Sequence, residues 1–261
     1  VSIFMIIALL ATGVGVGLIS GALGLGGGIL MVPAFMFLLG FGVHMAKGTS
    51  LFIIIFVSLL NAWRLNRGLE KPWRLAALLA TGSIFGGYCG AYVTSLLPER
   101  VVLALFAVLL GGLALRTFLL EPKEVDEDHV RQRTAWPICI GFLAGLVGGA
   151  TGTGGGMVLV PLVLLAGLAT NARVVGLSCM VMVATSVAGS IAHLQATPVL
   201  DAGWVVGHVH LGYVPFVFLG AQLGSPLGTR LNAVLTLPRR RVVLGVALLI
   251  ITVRVLFDLL G

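Results

Sequence analysis

Residues 21–33 read GALGLGGGILMVP and residues 149–161 read GATGTGGGMVLVP, a repeat at an offset of 128 with 8 of 13 positions identical and no gap. The echo extends outward, pairing Gly17 with Gly145, Gly48 with Gly176, Ser50 with Ser178 and Ser58 with Ser186. Both copies place three consecutive glycines inside a long apolar stretch. Glycine is a weak helix former that leaves backbone exposed, so each stretch is broken at the same place. A duplicated half with an interrupted hydrophobic segment in each copy points to a transporter built from repeats.

The break matters because of where it lies. The chain is 59% hydrophobic and only 10% charged, with a mean hydropathy of +1.13, whereas soluble proteins carry about 25% charged residues. Apolar runs cover 3–43, 48–63, 75–97, 101–120, 137–169, 174–192, 203–229 and 242–257. About 20 helical residues cross a bilayer, so most runs can span and the longest can bend back. Backbone in hydrocarbon must bond to itself, and runs without alternation are helices rather than barrel strands. The expected fold is an all-α polytopic membrane bundle. The apolar N-terminus lacks a basic leader and reads as a spanning segment. Cys89, Cys139 and Cys179 are scattered, odd in number and match no metal spacing.

The net charge of +7 reflects topology rather than nucleic-acid binding. Arg64, Arg67, Lys71 and Arg74 share one short loop, and Arg230, Arg239, Arg240 and Arg241 another. Such clusters mark cytoplasmic loops. The 64–74 loop is basic, but its equivalent at 195–208 has no Lys or Arg; the next pair, 97–100 and 230–241, reverses that order. Equivalent loops therefore fall on opposite sides, and the expected repeats are inverted: 1–120, a cytoplasmic linker 121–136, and 137–261. Both termini fall outside. This assigns 13 Lys and Arg to the inside or its flanks and leaves Lys47, Arg100 and Arg254 for the other side. Each half needs an odd number of crossings, either three with a re-entrant hairpin or five.

The paired motifs SGALGLGGGILMVP and GGATGTGGGMVLVP, followed by AKGTS at 46–50 and VGLSC at 175–179, resemble the TauE/SafE family of sulfite and sulfonate exporters. The resemblance spans nearly the whole chain. It implies a bacterial inner-membrane carrier of small sulfur-containing anions such as sulfite or organosulfonates, with no cofactor and no catalysis. Lys47 departs from the pairing, because its counterpart is Val175.

The residues give an independent reason for anion binding. A helix restarting at Ile29 or Met157 leaves its first N–H groups without partners and aims its positive end at the break. Glycine lets an oxyanion approach those groups. The expected site is Gly26, Gly27 and Gly28 facing Gly154, Gly155 and Gly156, with Thr151 and Thr153 adding hydroxyls on one side only. Tight helix packing is the other use of such glycines. Ser50, Ser58 and Asn61 share one helix face with Ile54; Ser178, Ser186 and His193 share another with Met182 and Gly189. Ser50, Asn61 and Ser178 join the expected site, although serines also bond their own helix carbonyls.

Lys47 reads either as an anion attractor or as a side chain snorkelling to the interface. His193 reads as a hydrogen-bonded packing histidine near the outer helix end, or else as a substrate ligand or proton relay. His208 and His210 beside Trp204 read as headgroup-level residues, and Arg116 and Arg254 lie near the ends of the last helix of each half. All nine carboxylates fall in loops or near segment ends, which argues against an acidic proton relay. Lys47-Gly48-Thr49 lacks the phosphate-loop glycine spacing, which excludes ATP-driven pumping by this chain alone. The expected mechanism is efflux by alternating access, driven by a membrane potential worth roughly 2.3 kcal/mol per charge per 100 mV. An anion channel and a non-catalytic subunit of a larger membrane complex are the alternatives.

Overall fold

Glycine recurs at every fourth position in four stretches: Gly13, Gly17 and Gly21; Gly82, Gly86 and Gly90; Gly141, Gly145 and Gly149; Gly220, Gly224 and Gly228. Residues four apart lie on one helix face, and small ones there let two backbones touch. A computed structural model of the chain describes residues 3–23, 27–67, 72–119, 135–197, 204–234 and 237–260. Before residue 120 come α1 (Ile3–Leu23), α2 (Gly28–Leu39), α3 (Val43–Leu65), α4 (Trp73–Ser95) and α5 (Glu99–Leu119). After residue 134 come α6 (Ala135–Thr151), α7 (Gly156–Leu165), α8 (Asn171–Leu194), α9 (Val214–Val234) and α10 (Leu237–Leu260). A two-stranded hairpin, β1 (Val205–Val206) and β2 (Val209–His210), and a 3₁₀ turn, Leu211–Tyr213, lead into α9.

The glycine stripes set the packing. A Cβ on Gly82, Gly86 or Gly90 would strike the carbonyl oxygens of Ile138, Phe142 and Leu146 in turn; on Gly220, Gly224 or Gly228 it would strike those of Leu10, Val14 and Leu18. Each carbonyl of the second set sits 128 positions before its counterpart in the first. So α4 lies on α6 as α9 lies on α1, parallel within each pair. Helices α3 and α8 cross antiparallel: Gly48 near the start of α3 meets His193, and Gly176 near the start of α8 meets Asn66 just past the end of α3. Helix α5 packs on α10.

Polarity is inverted relative to a soluble protein. Lys47, Ser50, Ser58, Asn61, Thr153, Ser178, Ser186 and His193 are fully buried, while Phe85, Leu143, Leu165, Leu223 and Ile250 lie exposed. Apolar side chains facing outward around a polar interior suit a hydrocarbon solvent. The spans Met5–Ala22, Val43–Leu65, Trp73–Ser95 and Ala172–Leu194 are long and apolar enough to cross a membrane. Trp63, Trp73, Trp136 and Trp204 are exposed at helix ends or on the hairpin, the positions tryptophan takes at a lipid–water boundary.

The two longest apolar runs each fold back. Gly27, just before α2, lies against the backbone of Val16, two turns before the end of α1. Gly155, just before α7, lies against the carbonyl of Ala144 in the same way. Helices α2 and α7 are therefore short return helices lying along α1 and α6.

Candidate functional site

Both breaks use the same backbone device. Gly27 and Gly155 cap α2 and α7 in the left-handed conformation, at φ 71° and 84°, and neither has a side-chain cap. Their carbonyls accept the first helical bonds, from Leu30 and Met31 at 3.1 Å and from Val158 and Leu159 at 3.1 and 3.0 Å. The amides of Gly28, Ile29, Gly156 and Met157 donate to no backbone carbonyl outside their helices among the described residues. The positive end of each helix, roughly half a charge, is left open.

The breaks also meet. Gly28 packs on the backbone of Thr153, where a Cβ would lie 2.5 Å from the Thr153 Cα and 2.7 Å from the Ile54 Cδ1. Gly154 faces Ile54, Met182 and the Ser186 Oγ, the last at 3.1 Å from a built Cβ. The hydroxyls of Ser58 and Ser186, a pair related by the 128 offset, are buried with no hydrogen-bond partner among the described residues. An unpaired buried hydroxyl costs about 1–3 kcal/mol, so two of them on the stripes beside paired helix starts leave room for a ligand's acceptors.

The second break is braced from outside. Thr153 and Gly154 donate their N–H groups to the Gly148 carbonyl at 3.1 and 3.3 Å, closing the end of α6. Those two amides are therefore taken; the residues contribute shape, and the open amides lie one step further on. The Thr151 hydroxyl donates to the Val147 carbonyl at 2.7 Å and lies 2.8 Å from the Thr153 hydroxyl. The Ser50 hydroxyl donates to the Gly152 carbonyl at 2.9 Å, so Ser50 secures the loop. Lys47 does not snorkel. It is fully buried and its ammonium donates to the Thr94 hydroxyl at 2.9 Å and the Ala150 carbonyl at 3.2 Å, beside the negative end of α6.

Asn61 lies apart, eleven residues or about 16 Å along α3 from Ser50. Its amide donates to the Ser20 hydroxyl at 2.9 Å and its carbonyl accepts from Ser225. That network ties α1, α3 and α9 together, and Arg64, one turn on, donates to Gln222 at 3.0 Å. Ser178 is buried on α8 at the place Ser50 holds on α3; by the offset its loop counterpart is Gly24. Gly24, Gly26 and the linker 121–134 lie outside the described residues, as do the side chains of Arg116 and Arg254.

The sequence reading put His193 and His208 in separate places, and the fold joins them. The Nδ1 atoms of His193 and His208 are 3.2 Å apart, the rings of His44 and His208 lie 5.3 Å apart, and the His208 N–H donates to the His193 carbonyl at 2.9 Å. His208 is buried rather than at headgroup level. Burial first, then His44 and Lys47, push its imidazole down to about 4, with Glu99 opposing. His210 stacks on Tyr213 at 3.8 Å, and its N–H donates to the Thr49 hydroxyl at 3.0 Å.

An apolar helical bundle with two interrupted helices meeting among buried hydroxyls is the architecture of a membrane transporter. The family model for the sulfite exporter TauE/SafE matches residues 9–255. The chain belongs to that family, a family of membrane transporters rather than enzymes. It is 26% identical to a probable membrane transporter protein of Methanocaldococcus jannaschii, over 91% of this chain and 90% of the relative. It is 24% identical to the probable membrane transporter protein YunE of Bacillus subtilis, over 97% of each, and 27% identical to one of Xylella fastidiosa, over 84% and 83%. No solved structure matches the chain.

Proposed function

We propose that this transporter carries small sulfur-containing anions, sulfite or organosulfonates, outward across a bacterial inner membrane. The anion sits between the two helix breaks, held by the amides of Gly28, Ile29, Gly156 and Met157 and by the hydroxyls of Ser58 and Ser186. The observation that carries this reading is the contact of Gly28 with Thr153, which brings two uncapped helix starts to one place. Helix N-termini favour anions without supplying a full charge, so the ion is held and still released.

We read the halves as inverted repeats, 1–120 and 137–261, with the 121–136 linker cytoplasmic and both termini outside. The antiparallel crossing of α3 and α8, set against the parallel pairs α1–α9 and α4–α6, supports this reading. Rocking of one half against the other then exposes the site alternately. Efflux of an anion from a negative interior needs no coupling ion.

The test is calorimetric binding of sulfite, a two-carbon sulfonate, sulfate and acetate to the purified protein. Sulfite or sulfonate binding that weakens about tenfold in Ser186→Ala and disappears in Ser186→Leu supports the site, given that a hydrogen bond to a charged group is worth about 1.5–3 kcal/mol. Binding that ignores both substitutions contradicts it. Substitution of Gly27 or Gly155 is a poor test, because their left-handed conformation strains any side chain.

A further inference from the structure

The interior holds a second group of polar atoms that the paired breaks do not use. Lys47 spends two of its ammonium hydrogens on neutral acceptors, Thr94 and Ala150. The third has no acceptor among the described residues. No ion pair to Lys47 is recorded there either; Glu99, the neighbouring carboxylate, lies against Gly42. A buried ammonium bonded only to neutral acceptors, its neighbouring carboxylate not in ion-pair contact, costs several kcal/mol. His193 Nε2 and His44 Nδ1 are likewise buried without partners.

The histidine pair adds a proton constraint. A bond between two Nδ1 atoms needs one N–H and one lone pair. When His208 donates, His193 carries its own proton on Nε2, and that N–H has no acceptor. The 204–210 hairpin covers this region: His208 N–H binds the His193 carbonyl, His210 N–H binds the Thr49 hydroxyl, and Gly48 abuts the His208 backbone. None of the polar residues is duplicated, since Lys47, His44 and His193 correspond at the 128 offset to Val175, Ala172 and Leu65.

We propose that Lys47 and His193 form a second oxyanion site, separate from the paired breaks and covered by the 204–210 hairpin. An oxyanion meets all three demands at once: it neutralises the ammonium, accepts its third hydrogen, and accepts from the His193 Nε2–H. Water meets the hydrogen bonds but leaves the charge. A metal ion is disfavoured by Lys47, and no group of ligating side chains that could hold one is found among the described residues. The site does not depend on the transport reading of the breaks.

The test is the stoichiometry of sulfite and of sulfate binding to the purified full chain by calorimetry. Wild type should bind two ions. Lys47→Met should lose one of them, with at least a tenfold weakening, and Ser186→Leu should lose the other. A single ion that is lost in Ser186→Leu and indifferent to Lys47→Met overturns this inference and leaves the proposed function standing. A single ion lost in Lys47→Met and indifferent to Ser186→Leu does the reverse. If Lys47→Met does not fold, Lys47→Arg and His193→Leu replace it: Arg should bind within threefold of wild type and Leu at least tenfold more weakly. Equal binding in both overturns the site.

Discussion

The helix pairs α1–α9 and α4–α6 are one interface built twice, whereas the two ends of α3 share almost nothing. In the interfaces every glycine contact on one side has its counterpart on the other, 128 positions away along α1 and α6 and 138 along α4 and α9. At one end of α3, Lys47 holds the end of α6 and Gly48 abuts His193 and His208; at the other, Asn61 binds Ser20 and Ser225 and Arg64 binds Gln222. Duplication preserved what the backbone requires. The side-chain chemistry at the two ends of α3 diverged.

The comparison breaks first at the glycines. Gly86→Val and Gly224→Val each drive a branched side chain into a carbonyl of the facing helix, of Phe142 or Val14. Each should cost about 3 kcal/mol, the upper end for overpacking, and remove most folded protein in thermal unfolding in detergent. Gly15→Ala, with nothing within 4 Å, should stay within about 0.5 kcal/mol of wild type. If one interface tolerates Val and the other does not, they are not equivalent.

Next comes the contrast between bracing and binding. Asn61→Ala strands the Ser20 and Ser225 hydroxyls and should cost about 2 kcal/mol while leaving anion affinity within twofold. Ser186→Ala should do the opposite, weakening binding with little loss of stability, because its hydroxyl has no protein partner to strand. Affinity that follows Asn61 would move the binding site toward that end of α3.

The pH response should belong to one end alone. His208 is held at about 4 in the fold against about 6.5 unfolded. Between those values the unfolded chain binds more protons, so stability is present above pH 6.5 and is lost as pH falls toward 4. The melting temperature should drop across that window, and His208→Gln should flatten the slope. Among the substitutions that remove a contact, the smallest effect is that of Thr153→Val, which removes the 2.8 Å contact with Thr151 but leaves its N–H bond to Gly148, for about 1 kcal/mol.

Composition and the repeat made the helical membrane architecture legible, and the glycine triplets marked the breaks, because both are written in local sequence. The Gly-xxx-Gly stripes were equally visible in the sequence, but their partners were not: that α4 meets α6 and α9 meets α1 is settled between distant segments. Asn61 fell on the same helical face as Ser50, yet a face spans the whole bundle, and its partners Ser20 and Ser225 lie on other helices. Lys47 looked free to reach the interface because helical position alone does not reveal the carbonyl of Ala150 beside it. Ser58 and Ser186 stood out only once their neighbours were known to offer them no bond.

The central claim is that the anion sits where the two helix breaks meet. The most direct measurement is a crystal structure with 2-bromoethanesulfonate, using the bromine anomalous signal to find the ligand. The account predicts a peak beside Gly28, Gly156 and Ser186, with the sulfonate oxygens within hydrogen-bond distance of the open amides. Density for the ligand elsewhere, with the breaks closed against each other, would contradict it.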